Sequence, residues 1–273
     1  MNNEILDFLK TNKELFQNKP ENLDWAEIYK LALVKFKGEL SRFTEFWLNR
    51  GVHPEYYLQE LPNSFLSRSN IKEFTIPSNI KKIDLYAFTS CSNLQAVIFE
   101  EGLIEIGYEA FGNCSKLVNL RLPDSVTDVD FRAFMGCRNL KILDTGNGLK
   151  KVKTNFAAAC YNLETLIIGN NVDDIDDDAF INCINLKDVI IGNNTKSIGV
   201  GSFEHCEKLE TVKIPKSVSR IAGLAFKKCG DNLTINYSGT KDDWKKINIK
   251  DSAFESTYFT VNCIDGKIVK KKR

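Results

Sequence analysis

The sequence predicts an α/β solenoid: an array of short parallel strands and helical turns, one coil per 23 residues, with a helical cap at its N-terminal end. Three observations carry this. Cys91, Cys114, Cys137, Cys160, Cys183, Cys206 and Cys229 are each 23 residues apart, and a unit of that size cannot bury its apolar face without a neighbour. Phe88, Phe111, Phe134, Phe180, Phe203 and Phe226 each stand three residues before one of these cysteines. The first 60 or so residues lack the repeat and space their apolar residues as a helix does.

In the N-terminal region Ile5, Leu6, Phe8 and Leu9, followed by Leu15 and Phe16, form the first apolar face, which Pro20 ends. Asp24 is placed to cap a second helix carrying Trp25, Ile28, Tyr29, Leu31, Leu33 and Phe36. A third is expected from about Glu39 to Asn49, stopped by Gly51, and Pro54 opens a short turn with Tyr56, Tyr57 and Leu58. Three aromatic-rich helices read first as a core that covers the open end of a solenoid, and second as a docking domain.

Each repeat then follows one line of apolar positions: Ile80, Ile83, Ala87-Phe88, Cys91, Leu94, Val97 and Phe99 in one unit, and Leu103, Ile106, Ala110-Phe111, Cys114, Leu117, Leu120 and Leu122 in the next. Leu94-x-x-Val97-x-Phe99 alternates with period two and ends at a turn, as Ile76-Pro77, Leu122-Pro123 and Ile214-Pro215 show, so it reads as a short strand. Ala87-Phe88-x-x-Cys91 reads as a single helical or 3₁₀ turn. Phe65, Ile71, Phe74 and Ile76 extend the array backwards. Eight strands stacked at about 4.8 Å give a ladder of roughly 34 Å. Phe156-Ala157 reverses the usual order, which predicts a local bend or shifted turn, or a repacking in which Phe156 fills the gap in the ring stack.

The pattern [IV]-x-x-I-x-x-x-A-F-x-x-C-x-x-L-x-x-[VL]-x-[IL]-[PG] resembles the leucine-rich repeats of the BspA type, found in bacterial surface proteins, some protists and bacteriophage-encoded proteins. The segment Tyr237-Ser-Gly-Thr-Lys-Asp-Asp-Trp244, with Ile247, Ile249 and Ala253-Phe254, resembles their closing segment. The expected organisation is a helical N-terminal cap over 1–62, the leucine-rich repeat solenoid over 63–236, and a C-terminal capping segment with a basic tail over 237–273. The resemblance implies an adhesive or protein-binding role without catalytic residues.

Composition narrows the function further. The 273 residues are 43% hydrophobic, and 37 basic residues against 36 acidic ones leave a net charge of +1, so no general attraction to nucleic acid or anionic membrane is expected. No apolar run reaches the roughly 18 residues that span a bilayer, and Met1-Asn2-Asn3-Glu4 does not open like a secretory leader. A cytoplasmic setting is expected, or a virion if the chain is bacteriophage-encoded. Seven cysteines at one repeat position, without a CxxC pair, read as a buried thiol ladder and not as disulfides or a metal site. His53, and His205 beside Cys206, make no catalytic set, so no enzyme and no cofactor is expected.

Function is therefore expected on outward strand positions. Thr75, Ile98, Arg121, Asp144, Ile167, Ile190 and Lys213, one per repeat, form the candidate contact for a protein partner on a concave strand face, with self-association possible. A virion or assembly component docked through the helical cap is the alternative. The run Asp173-Asp174-Ile175-Asp176-Asp177-Asp178 could suggest calcium. Its spacing favours charge pairing across coils, because Lys150, Lys151 and Lys153 fall 23 residues before Asp173, Asp174 and Asp176, and Lys196 falls 23 after Asp173. Lys82 with Glu105 repeats the idea. The basic tail from Lys267 to Arg273 reads as a solvated, disordered end.

Overall fold

The computed structural model describes residues 2–36 and 40–270. Glu39, the expected start of the third helix, and Lys271, Lys272 and Arg273 of the basic tail lie outside the described residues. The helical N-terminal region contains α1 (Asn2–Thr11), α2 (Trp25–Lys35) and α3 (Ser41–Leu48). Asp24 caps α2 by accepting from the Glu27 amide at 3.0 Å, and Pro54–Tyr57 forms a 3₁₀ turn. These helices pack through rings: Phe8, Tyr29, Phe36 and Trp47 all contact Phe43. The Tyr29 ring also lies 5.7 Å from Phe65, and the Asn79 side chain donates to the carbonyls of Glu55 and Leu58. Those contacts join the helices to the first coils.

The rest is a solenoid of about nine turns of parallel strands. Each coil has a longer strand such as Thr165–Ile167, a two-residue strand such as Asp174–Ile175, and a turn segment such as Ala179–Cys183. Like segments stack on like, in register: Leu166 pairs with Leu143 on one side and Val189 on the other, and Ile175 pairs with Val152 and Ile198. Amides of the turn segment also bond across coils, as Phe88 N–H does to Ala110 O at 2.7 Å and Phe203 N–H to Ala225 O at 2.9 Å. Three hydrogen-bonded seams thus run along the solenoid. Where the long-strand pairing lapses between Ala96–Phe99 and Asn119–Arg121, the short strands still pair through Ile83 and Ile106.

The turn segment is a chain of i→i+3 turns, with Thr89 N–H bonded to Tyr86 O and Cys91 N–H to Phe88 O. Tyr86 and Ser90 both have φ of 58°, and this left-handed backbone every fourth residue keeps the turns from merging into a 3₁₀ helix. Ala, Phe and Cys point inward and are fully buried through most coils. Phe88 and Phe111 stack at 5.0 Å with planes 2° apart, and the 180–203, 203–226 and 226–254 pairs stack within 14° of parallel. Phe156 fills the predicted gap: it projects from the alanine position, fully buried, with its ring tilted 57° and 59° to Phe134 and Phe180. The backbone keeps its seam there through Phe134 N–H to Phe156 O and Ala157 N–H to Ala179 O, so repacking replaces a bend.

The cysteine thiols donate to main-chain oxygens one coil back, as Cys137 does to Phe111 O at 3.2 Å. Burial pushes the Cys137 thiol up to about 12 and raises those of Cys160, Cys183 and Cys206.

The C-terminal coil admits an insertion. Helix α4 (Lys241–Lys246), opened by a Thr240–Asp243 capping box, buries Trp244 against Tyr237 at 5.2 Å. The coil then resumes, with Ile249 paired to Ile221. Gly266–Lys270 forms an antiparallel strand on Phe259–Cys263, so the start of the tail is ordered where a solvated end was expected. The hairpin turns at Ile264-Asp265, and Gly266, at φ 128°, opens the return strand opposite Cys263.

Coils approach most closely along the column Gly146, Gly169 and Gly192, where a Cβ at Gly169 would overlap the Gly146 carbonyl. Gly169→Ala is expected to destabilise the protein by about 2 kcal/mol, read by chemical denaturation; an unchanged midpoint would show that the coils can separate freely there. Glu55 is 4% exposed, with Oε1 2.9 Å from His53 Nδ1 and Oε2 unpaired. Burial holds its carboxyl above the usual range, so the folded state binds this proton more tightly than the unfolded one. Its contribution to stability is present at acid pH and is lost as pH rises through the folded value. Glu55→Gln is expected to raise the Tm at pH 7.5 by about 2 °C and to flatten its pH dependence between 5 and 8.

Candidate functional site

Period-two alternation sorts each long strand into an inward and an outward set. Leu143, Leu166, Val189 and Val212 point into the core, leaving the residues on either side facing outward. The structure places Thr75 opposite Ile98. It sets Arg121, Asp144, Ile167, Ile190 and Lys213 in one unbroken register. The lapse in strand pairing separates these two groups. Lys213 continues to Asn236 and then Asn262, whose side-chain amide donates to Asn236 Oδ1 at 3.0 Å.

Charge on this face is local. Arg121 Nε lies 3.5 Å from Asp144 Oδ2, so Asp144 is already paired, whereas no partner is present for the Lys213 ammonium among the described residues. Ile98 is 56% exposed and Ile190 43%. Ile142 is 44% exposed, pairs with Thr165 and stands diagonally to Ile167. The one-residue-per-repeat reading passed over it, although it sits at the other outward position of the same alternation. Asn236 was legible as the next step of 23 after Lys213; Asn262 was displaced by the helix inserted before it. At this end of the face a groove of about 390 Å³ is lined by Lys213, Asn236, Ser238, Asn262 and Ile264.

The acidic run lies outside this face and is engaged by its neighbours. Asp173 meets Lys196 at 2.8 Å and Asp176 meets Lys151 at 3.0 Å. Asp174 accepts from Ser197 and Asp177 from the Val200 amide. Two lysines differ from expectation: Lys151 reaches Asp176 and not Asp174, and Lys153 turns back to Asp128 at 2.7 Å and Asp130 at 3.5 Å. Lys82 pairs with Glu105 at 3.7 Å. Among the described residues no group of three or more His, Cys, Asp or Glu is placed to hold a metal ion. His53 is held by Glu55, and His205 lies between Glu204 and Glu207.

The BspA type leucine-rich repeat region matches residues 59–187 and 173–267, in six copies. The chain belongs to this family. A leucine-rich repeat protein from Eubacterium ventriosum is similar in structure, with TM-score 0.60 and 27% identity over 63% of this chain and 46% of that one. This repeat protein therefore spans less than half of that relative. The leucine-rich repeat protein of T. pallidum shares the fold, at TM-score 0.52 and 23% identity over 62% of this chain and 75% of that one. No curated protein sequence matches. The family is a repeat scaffold, and leucine-rich repeat proteins typically mediate protein interactions. Among the described residues no helix is long and apolar enough to cross a membrane.

The hydrogen bond from Lys196 holds the Asp173 carboxyl below its usual range, so this pair stabilises the fold above the unfolded carboxylate pKa and is lost as pH falls through the folded one. Raising sodium chloride from about 0.05 M to about 1 M is expected to lower the Tm by only 1–3 °C or so, because exposed pairs contribute little each. Calcium at millimolar concentration should leave the Tm unmoved in differential scanning calorimetry; a large upward shift would assign the carboxylates to a metal instead.

Proposed function

We propose that the chain is a non-catalytic module that binds a protein partner across the face of its long strands, through Thr75, Ile98, Arg121, Asp144, Ile167, Ile190 and Lys213. The observation that carries this is the register Asp144–Ile167–Ile190–Lys213, which sets two isoleucines side by side between an acid and a base. Ile142 widens the apolar strip. Burying one such side chain in an interface contributes about 1.5–3 kcal/mol, and Lys213 offers an unpaired cation at its margin. Membership of a protein-binding repeat family supports the reading. The non-catalytic part is supported by Cys137, Cys160, Cys183 and Cys206, whose buried and raised thiols are poor nucleophiles at neutral pH.

The test is capture from native lysate with wild type and with an Ile167→Glu, Ile190→Glu variant of unchanged circular dichroism. The variant is expected to lose a captured partner more than about tenfold, since each glutamate would strand a charge in the contact. Sedimentation in parallel identifies a second copy of the chain as that partner. Equal capture by both proteins overturns the strand face as the contact and redirects attention to the helical region.

A further inference from the structure

A second concavity lies away from the long strands, where α3 overhangs the turn segments of the first three coils and borders an open cleft of about 750 Å³. Its walls come from Ser41, Arg42 and Glu45 of α3 and from turn residues including Arg68, Tyr86, Ser90, Glu109 and Asn113. Nearly all are polar, so the space suits a hydrophilic occupant.

Which occupant follows from which groups are already satisfied. The carboxylates differ: Glu109 Oε1 lies 3.6 Å from Arg132 Nη1, whereas Glu45 Oε1 accepts only from the Asn70 amide at 3.4 Å. The main-chain amides of Arg68 and Ser90 are used in the seam between coils, bonded to Thr89 O and Gly112 O. Several hydroxyls also spend their protons within the wall, with Ser67 donating to Thr89 O, Thr89 to Gly112 O and Ser64 to Asn63 Oδ1. What remains is rich in donors. The guanidinium groups of Arg42 and Arg68 have no partner among the described residues, and the hydroxyls of Ser41, Tyr86 and Ser90 and the Asn113 amide make no side-chain hydrogen bond there. With Glu109 paired to Arg132, Arg42 and Arg68 face the single unpaired carboxylate of Glu45, so among the described residues the cleft carries surplus positive charge and forked N–H donors, the chemistry that recognises a phosphoryl group. The hydroxyl-rich wall and the volume leave room for a polyol beside it.

From this we propose that the cleft between α3 and the first three coils binds an organic phosphate, a phosphoryl group carried on a hydroxylated carbon skeleton, with Arg42 and Arg68 holding the phosphoryl oxygens. A free sugar phosphate and a phosphorylated glycan share that chemistry. The site is independent of the long-strand face.

The test is calorimetric titration of the full chain at low salt with glucose 6-phosphate, with glucose and inorganic phosphate as separate probes. Glucose 6-phosphate is expected to bind at least about tenfold more tightly than either fragment. Arg42→Gln and Arg68→Gln should each weaken it about tenfold, with Tm unchanged. An Ile167→Glu, Ile190→Glu variant should bind it as wild type does. A phosphorylated oligosaccharide that binds more tightly than glucose 6-phosphate, and loses that affinity in the arginine variants, identifies the glycan as the source. Absence of binding, binding equal to that of inorganic phosphate, or binding that survives both arginine substitutions overturns the proposal.

Discussion

Stacking of coil on coil at one repeated register is the constraint from which the rest of the structure follows. Apart from the C-terminal coil with its inserted α4, no coil contains a complete sheet or a helix of its own, so its amides and carbonyls find partners above and below, in three seams. The seams fix the rise, and the rise fixes what can point inward. Phenylalanine rings stack face to face at 5.0–5.6 Å, close to the spacing of the strands themselves. A small alanine and a thiol able to donate to a carbonyl fill the remaining corner. The Gly146, Gly169 and Gly192 column belongs to the same constraint, since the backbone approaches there more closely than a Cβ allows.

Redundancy among the seams explains why local exceptions are tolerated. The long-strand pairing lapses after Phe99, and the short-strand pairing lapses between Asp128–Val129 and Lys151–Val152. In each place the other strand seam continues, through Ile83 and Ile106 in one case and Leu120 and Leu143 in the other. Phe156 shows the same tolerance in the core: moving a ring by one residue tilts it and leaves the hydrogen bonds of the turn segment in register.

What could be read from the sequence was whatever repeats. The solenoid, the inward columns and the α2 cap at Asp24 all rest on spacing or on strong local chemistry. The turn segment was legible as a turn, but its left-handed residues were not, because Tyr86, Ser90, Glu109 and Arg132 share no residue type. Lys153 was assigned forward by period alone, and the two carboxylates behind it decided otherwise. Asp265-Gly266 was an available hairpin signal, hidden by reading the following lysines as a solvated tail. The cleft beside α3 could not be read at all, since it arises where an element outside the repeat meets three coils within it.

Variation among the columns of this one chain shows where specificity can be stored. Inward positions hardly change from coil to coil, being Phe, Cys and Leu throughout most of the array. The outward strand column runs Thr75, Ile98, Arg121, Asp144, Ile167, Ile190, Lys213, and one left-handed column of the turn face runs Arg68, Ser90, Asn113, Gly136, Ala159, Asn182, His205, Lys228. Neither sequence of residue types is dictated by packing, because the seams are made by the backbone and the core by the inward set. The turn column is bare along most of its length, and a bare column presents a shallow surface. Beside α3 a second wall rises over it, so a residue such as Arg68 lines a cleft there.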